Sequence, residues 1–352
     1  MKVWLQNPFD NLPEEGHRKQ RYRLMAEAFV RAGHEAVLFT SDFSHAKKLR
    51  RVFVRDFGAR PETVLVPTPT YRSNISLSRI LSHLVYAWRW YRLAKARVAA
   101  EGRAPDMLIV SMPTVSGAYA ALRFGRRFGV RTIVDVQDAW PETFYRLSPR
   151  PLAPLVRLAL SPVRFAARRI YARADRVTGV CDRYRALCAR GDYRRFYLGI
   201  EGVGSVPCRR FAAPRRYVYA GASGISYDLR HWIEKVEADE SLSLDVASTA
   251  DVVSSCPRIR SHGYLDAEAL KALFARCDTG IIPMADDSYV GVPNKFFDYA
   301  AAGLRIETTL GGECRALCER WNAALAAGDV SSLVRELDAV AIYDSYVKFT
   351  GG

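Results

Sequence analysis

Strand-length apolar stretches and amphipathic helices alternate along this chain in two separate runs, and that rhythm leaves few folds open. Val3–Leu5 reads as a short strand and Asn7–Gly16 as a polar loop. His17–Ala32 reads as a helix with Met25, Ala28, Phe29 and Ala32 on one face before Gly33. Glu35–Thr40, Asp106–Ser111, Thr132–Val136 and Arg173–Val180 read as further strands, and Val115–Phe128 as a helix closed by Gly129. Strands joined through helices run parallel, with helices covering both faces of the sheet. Glu201–Arg216 breaks the rhythm with Gly, Pro and Arg and is taken as an interdomain linker. The alternation then restarts with strands Tyr217–Ala220, Leu242–Ala247, Ile259–Tyr264 and Thr279–Pro283 and helices Leu229–Glu237 and Ala267–Cys277. The expected fold class is α/β: two doubly wound domains, 1–205 and 206–335, facing across a cleft at the carboxyl ends of their sheets.

A chain of 352 residues with 49% hydrophobic side chains can fill two such cores. Its seven cysteines are scattered, without a C-x-x-C pair, which points to a reducing compartment and away from a structural metal site. The start, MKVWLQNPFD, turns polar too soon for a signal peptide, and nowhere do about 20 apolar residues run together. The expectation is therefore a cytoplasmic protein, peripheral on the inner face of the cell membrane if it meets one.

The formal net charge of +15 is mostly arginine ahead of Arg216. It admits nucleic acid, an anionic membrane or an anionic substrate as partner. Nucleic acid is set aside, because no basic motif with stacking aromatics accompanies the charge. Ser78–Val98 and Pro151–Arg173 mix Leu, Val and aromatics with Arg. They fit an anionic membrane surface or, somewhat better for each taken alone, core-packed helices with solvated Arg faces.

One segment carries most of the chemistry: Gly291–Ile306, GVPNKFFDYAAAGLRI. Asn294 is placed to cap a helix that Gly303 stops. Near the positive end of that helix stand Val292, Pro293, Asn294, the cation Lys295 and the acid Asp298. Such an end can hold a phosphate, and an acid one turn in can accept hydrogen bonds from a ribose diol. The same residues would also serve a buried helix with an exposed lysine. Gly221, Ser223 and Gly224 lie in a loop after a strand, where backbone can approach oxygen atoms closely or simply turn. In the first half, Gly16, His17 and Arg18 precede a helix and could face phosphate and acceptor, or be a solvated loop. Asp138 follows a strand at a carboxyl edge, where it could take a proton from an acceptor hydroxyl or cap a helix; Glu142 suits the capping arrangement. His34 reads as structural, and His45 as a candidate for the acceptor side.

Strand Thr279–Pro283 followed by PNKFFDYAAAG resembles the donor-binding segment of retaining glycosyltransferases of family 4. YVYAGASG at Tyr217–Gly224 resembles the first strand and glycine loop of their C-terminal domain. GYLDAEALKALFARCDTGIIP at Gly263–Pro283 resembles the stretch leading to the donor site, and VDVQDAWPE at Val134–Glu142 a segment of bacterial surface-polysaccharide members. The resemblance implies the GT-B architecture, two Rossmann-like domains, with a tail 336–352 packing back on the first. It implies transfer of a sugar from a nucleotide-diphosphate sugar to a saccharide or lipid-linked acceptor, with retention and no essential metal. Asp138 and His17 become the catalytic candidates. Gly16, Arg18, Gly221, Ser223, Gly224, Val292, Pro293, Asn294, Lys295 and Asp298 become the donor-binding ones. Asp298 matches the second acid of the family's E-x7-E motif, but Val290 stands where the first is expected. Backbone amides of Tyr289–Val292 are the natural substitute. Two other readings accompany the transferase: a non-catalytic nucleotide-sugar-binding partner subunit, favoured by Val290, and a sugar-nucleotide epimerase of the same architecture.

Overall fold

The computed structural model describes residues 1–351 apart from 13–14, 16–18, 52–60, 203, 205, 208–214, 222–226, 250–251, 253 and 286–287. The chain divides into two compact units, Met1–Phe196 with Tyr343–Gly352, and Tyr197–Ile342.

In the first unit the order is β1 (Lys2–Gln6), α1 (Arg21–Arg31), β2 (Glu35–Ser41), a small hairpin of β3 (Phe43–Ser44) and β4 (Leu49–Arg50), β5 (Glu62–Val66), α2 (Leu77–Glu101), β6 (Met107–Met112), α3 (Val115–Phe128) and β7 (Arg131–Val136). There follow α4 (Glu142–Leu147), α5 (Ala153–Ala159), α6 (Ser161–Arg173), β8 (Arg176–Gly179), α7 (Tyr184–Cys188) and β9 (Arg194–Arg195). The seven-stranded sheet has order β5-β2-β1-β6-β7-β8-β9 and is parallel throughout. Both faces are covered, so β1, β6 and β7 read as nearly continuous apolar runs rather than alternating ones.

The second unit runs through β10 (Arg216–Ala220), α8 (Arg230–Ala238), β11 (Ser243–Ala247), β12 (Ile259–Ser261), α9 (Ala267–Ala275), β13 (Thr279–Ile282), α10 (Asn294–Ala301), β14 (Arg305–Thr308), α11 (Gly312–Ala327) and α12 (Ser331–Glu336). Its five-stranded sheet, β12-β11-β10-β13-β14, is parallel too. One face packs α8 through Trp232 and Val236; the other packs α9, α10 and α11 around Phe274, Phe296 and Trp321. A final helix, α13 (Ala339–Gly351), ends the chain. Strand order reverses between β1 and β6 and between β10 and β13, and in such sheets the crevice beyond the strand ends at a reversal is where ligands bind.

Several boundaries differ from those read off the sequence. The units divide after Phe196 rather than at 205, because Tyr197, Leu198 and Ile200 already belong to the second core. The chain rejoins the first unit at Tyr343 rather than 336, because Leu333, Val334 and Leu337 are still packed in the second. Helix α1 starts at Arg21, not His17: Gln20 is extended, at φ −96° and ψ 170°. Its side chain makes no cap; instead the Asp10 carboxylate, from the loop after β1, accepts from the Arg23 amide. The stretch Arg173–Val180 holds the end of α6 and only the four-residue β8.

Candidate functional site

Helix α10 is set by its two ends. Gly303 adopts φ +68°; its N–H donates to Ala300 O at 2.9 Å and that of Leu304 to Tyr299 O at 3.0 Å, the glycine stop expected from sequence. The other end departs from expectation. Pro293, extended and buried, is the cap residue; Asn294 is the exposed first helical residue and its side chain caps nothing. Proline there supplies a pre-set φ and has no N–H to satisfy, which removes the need for a side-chain cap. The Val292 side chain is buried in the core, so only its backbone is available to a ligand. Val290 also packs against that core, and its N–H donates to Ser288 Oγ at 3.2 Å. That bond removes one of the amides expected to replace the missing acid.

Lys295 reaches from the first turn of α10 to the end of β10. Its Nζ lies 5.1 Å from the ring centre of Tyr219 and 4.5 Å from that of Tyr227. Gly221, at φ +134°, follows the strand, and a Cβ there would fall 2.2 Å from Lys295 Nζ. Glycine is favoured there by conformation, and any side chain would have to push the lysine ammonium out of its place. Burial draws the Lys295 amine down to about 8, with Asp298, one turn on, pulling the other way. Tyr299 closes the floor: its hydroxyl accepts from Ala220 N at 3.0 Å and donates to Ile281 O at 3.3 Å, tying β10 to β13 at the reversal of strand order. A half-buried cation, two aromatic faces and a helix N-terminus thus meet at one strand end. This is chemistry for an anion with a planar or sugar neighbour.

Lys295, Gly221 and Asp298 are brought to one edge as anticipated. Gly16, His17, Arg18, Ser223 and Gly224 lie outside the described residues. Tyr219, Tyr227 and Tyr299 were missed. The Y-V-Y alternation of β10 was the only signal for Tyr219, and it reads equally as an ordinary strand.

In the first unit Asp138 stands just beyond β7, half-buried. Its Oδ1 accepts from Ala139 N at 2.8 Å and from the Thr143 hydroxyl at 3.4 Å, and its Oδ2 from Trp140 Nε1 at 3.0 Å, which leaves room on Oδ2 for a further donor. Burial raises its carboxyl, against these hydrogen bonds and the charge of Arg79. It does not cap α4, whose cap residue is Pro141, and Glu142 pairs with Arg164 at 3.5 Å rather than capping. His45 does lie at the same edge of the sheet, bonded through Nδ1 to the Tyr71 hydroxyl at 2.6 Å. Among the described residues no group of three His, Cys, Asp or Glu is placed to hold a metal ion, and no helix is long and apolar enough to cross a membrane.

Three solved structures are similar over nearly whole chains. Anabaena Alr3699/HepE in complex with UDP-glucose matches with TM-score 0.58 and 11% identity, covering 100% of this chain and 99% of that one. An E. coli trehalose-6-phosphate structure bound with UDP-2-fluoro glucose matches with TM-score 0.62 and 9% identity, over 99% and 98%. The catalytic domain of starch synthase IV from Arabidopsis thaliana, bound to ADP and acarbose, matches with TM-score 0.56 and 10% identity, over 99% and 97%. At such identities the likeness is one of fold, and the fold is the GT-B architecture. No curated protein matches the sequence. The sequence itself matches the glycosyl transferase 4-like domain over residues 19–197, just over half of the chain, and the protein belongs to that family of glycosyltransferases.

Proposed function

We propose that this protein is a retaining glycosyltransferase that moves a sugar from a nucleotide-diphosphate sugar to a saccharide or lipid-linked hydroxyl during bacterial surface-polysaccharide assembly. It works without an essential metal, at the cytoplasmic face of the membrane. The observation that carries the reading is Lys295 Nζ poised over Gly221 at the strand reversal of the second unit. Breaking the glycosidic bond to a diphosphate develops negative charge on the leaving group. A pre-organised, partly desolvated ammonium at a helix N-terminus stabilises that charge without having to reorganise. Asp298 accepts from the ribose diol. Asp138 orients the acceptor hydroxyl and receives its proton, a task suited to a carboxyl raised by burial. The structures of HepE and of the E. coli enzyme, with UDP-glucose and UDP-2-fluoro glucose bound, support a nucleotide-sugar donor by analogy.

The test is titration with a panel of nucleoside diphosphates and their sugars, followed by assay of nucleotide release. Lys295→Ala should weaken the preferred diphosphate about 10- to 100-fold, the loss of one charge-assisted contact. Asp298→Ala should weaken nucleosides carrying a ribose diol. Because the Lys295 amine sits near 8, affinity should be full below that pH and fall above it. Affinity that is unchanged in both variants would sink the site. The partner-subunit reading rests on Val290, a partly buried apolar residue where an acid is expected; tight nucleotide binding with no turnover on any acceptor would favour it. Activity that survives chelation of divalent ions would bear out the metal-free mechanism.

A further inference from the structure

The first unit holds a second concentration of positive charge. It lies where the loop after β1, the β3–β4 hairpin and the start of α2 come together. The Arg79 guanidinium carbon lies 4.6 Å from the ring centre of Trp140, 5.4 Å from that of Phe9 and 5.9 Å from that of Tyr71. Lys48 Nζ lies 4.7 Å from the Tyr71 ring centre and 3.3 Å from His45 Nδ1. Lys48 is held there by a left-handed backbone, φ 57°, at the tip of the hairpin. The ring centre of His83, one turn after Arg79, lies 5.9 Å from that of Trp140, tilted, and 5.3 Å from that of Phe9, edge to face.

These groups are poorly compensated. Arg79 donates from Nη1 to the Asn74 carbonyl and Lys48 to the Asn74 side chain, each at 2.6 Å, but neither acceptor carries charge. Arg79 Nε and His83 Nε2 are buried without a hydrogen-bond partner among the described residues. Asp138 is the carboxylate whose charge bears on Arg79. Burial and mutual repulsion draw Lys48 down to about 8 and both imidazoles to about 3. A fold that sets two cations and two neutral imidazoles on aromatic walls, with unmade hydrogen bonds and one acid, is completed by an anion.

We infer that Arg79 and Lys48, backed by His45 and His83, form a subsite for a phosphate group, and that the acceptor substrate carries that phosphate. The aromatic rings beside it suit the apolar face of a sugar, and Asp138, within the field of Arg79, sets the reacting hydroxyl near the phosphate-bearing residue. Naming the ligand as acceptor rests on the glycosyl-transfer reading above; the phosphate subsite does not.

The experiment is a phosphate titration of the full chain, followed by the imidazole NMR signals of His45 and His83. Saturable shifts of both signals, with their pKa values moving up, are expected. Arg79→Gln and Lys48→Gln should each weaken the effect about tenfold or more, while Lys295→Ala leaves it intact. A thermal melt of each variant separates loss of the anion from loss of the fold. Signals that ignore phosphate, or that respond equally in well-folded Arg79→Gln and Lys48→Gln, overturn the subsite. A hexose phosphate in solution and vesicles bearing an isoprenyl phosphate form two further arms. Tighter binding than inorganic phosphate in one arm identifies what carries the group, and no gain in either overturns the acceptor assignment. Nucleotide binding, measured on the same samples, fails or survives independently.

Discussion

Asp10 is the residue whose behaviour least resembles its type. It has no exposed surface, and burial lifts its carboxyl to about 7 against a hydrogen bond from Asn7 and the charges of Arg51 and Arg23. Its work is mechanical: it accepts from the Arg23 amide and so ties the turn directly after β1 to the start of α1. Linkage fixes the pH consequence. The unfolded chain ionises Asp10 near 3.8 while the folded chain keeps the proton to about 7. The stability this group contributes is complete below the lower value, and it drains away as pH rises through the window. Asp10→Asn cannot ionise. It should therefore gain on the parent between mildly acid and neutral pH, by at most about 4 kcal/mol, read from urea midpoints at the two pH values. An unchanged difference between parent and variant across the window would mean that Asp10 is already ionised in the fold.

At the scale of elements, α2 has two apolar faces. Ser82, Tyr86, Trp90 and Ala94 are buried against the sheet, yet Leu77, Ile80, Leu81, Leu84 and Trp88 form a stripe along the opposite side, each more than half exposed. Helices α5 and α6 repeat the theme with exposed Leu155, Leu158 and Phe165 among arginines. A stripe of this kind, flanked by positive charge, suits an anionic bilayer surface. Flotation with anionic liposomes should carry the protein at low salt and less at high salt. Leu81→Glu with Leu84→Glu should cut binding about tenfold or more, given roughly 1.5–3 kcal/mol for each leucine buried. A parent protein that stays unbound at low salt sinks the membrane role. The sequence announced α2 as amphipathic, but both its apolar faces lie within one helical repeat. Periodicity alone could not say which of them meets the core. The same limit governs α10: Gly303 was legible because a left-handed stop has one preferred residue. The N-terminal cap was not, because Pro293 and Asn294 both fit that end and only the backbone decides between them. Lys295 and Asp298 were legible as a pair; the tyrosines that hold the ammonium come from β10 and its loop, far away in sequence.

At the scale of the molecule, the first unit is not one continuous piece of chain. Tyr343 and Tyr346 are buried with it, and the Arg21 guanidinium lies 5.7 and 6.0 Å from their ring centres. Arg21 is itself buried, bidentate to Asp135 with both bonds at 2.8 Å, and it donates to Phe196 O at 2.6 Å. A stop codon after Ile342 would strip two aromatic side chains from this ion pair, at roughly 3–5 kcal/mol each, against a typical whole-domain stability of 5–15. The truncated chain should collect in the insoluble fraction; a soluble, cooperatively melting product would show that α13 is dispensable. The arrangement also bears on timing during synthesis. Domains generally fold as they emerge, but this one cannot close over Arg21 and Asp135 until all of Tyr197–Ile342 has been translated. For that interval the ribosome carries a nearly complete α/β sheet with an unsealed ionic core, so the stretch from Tyr197 to Ile342 acts as a delay line between the start of the first unit and its completion.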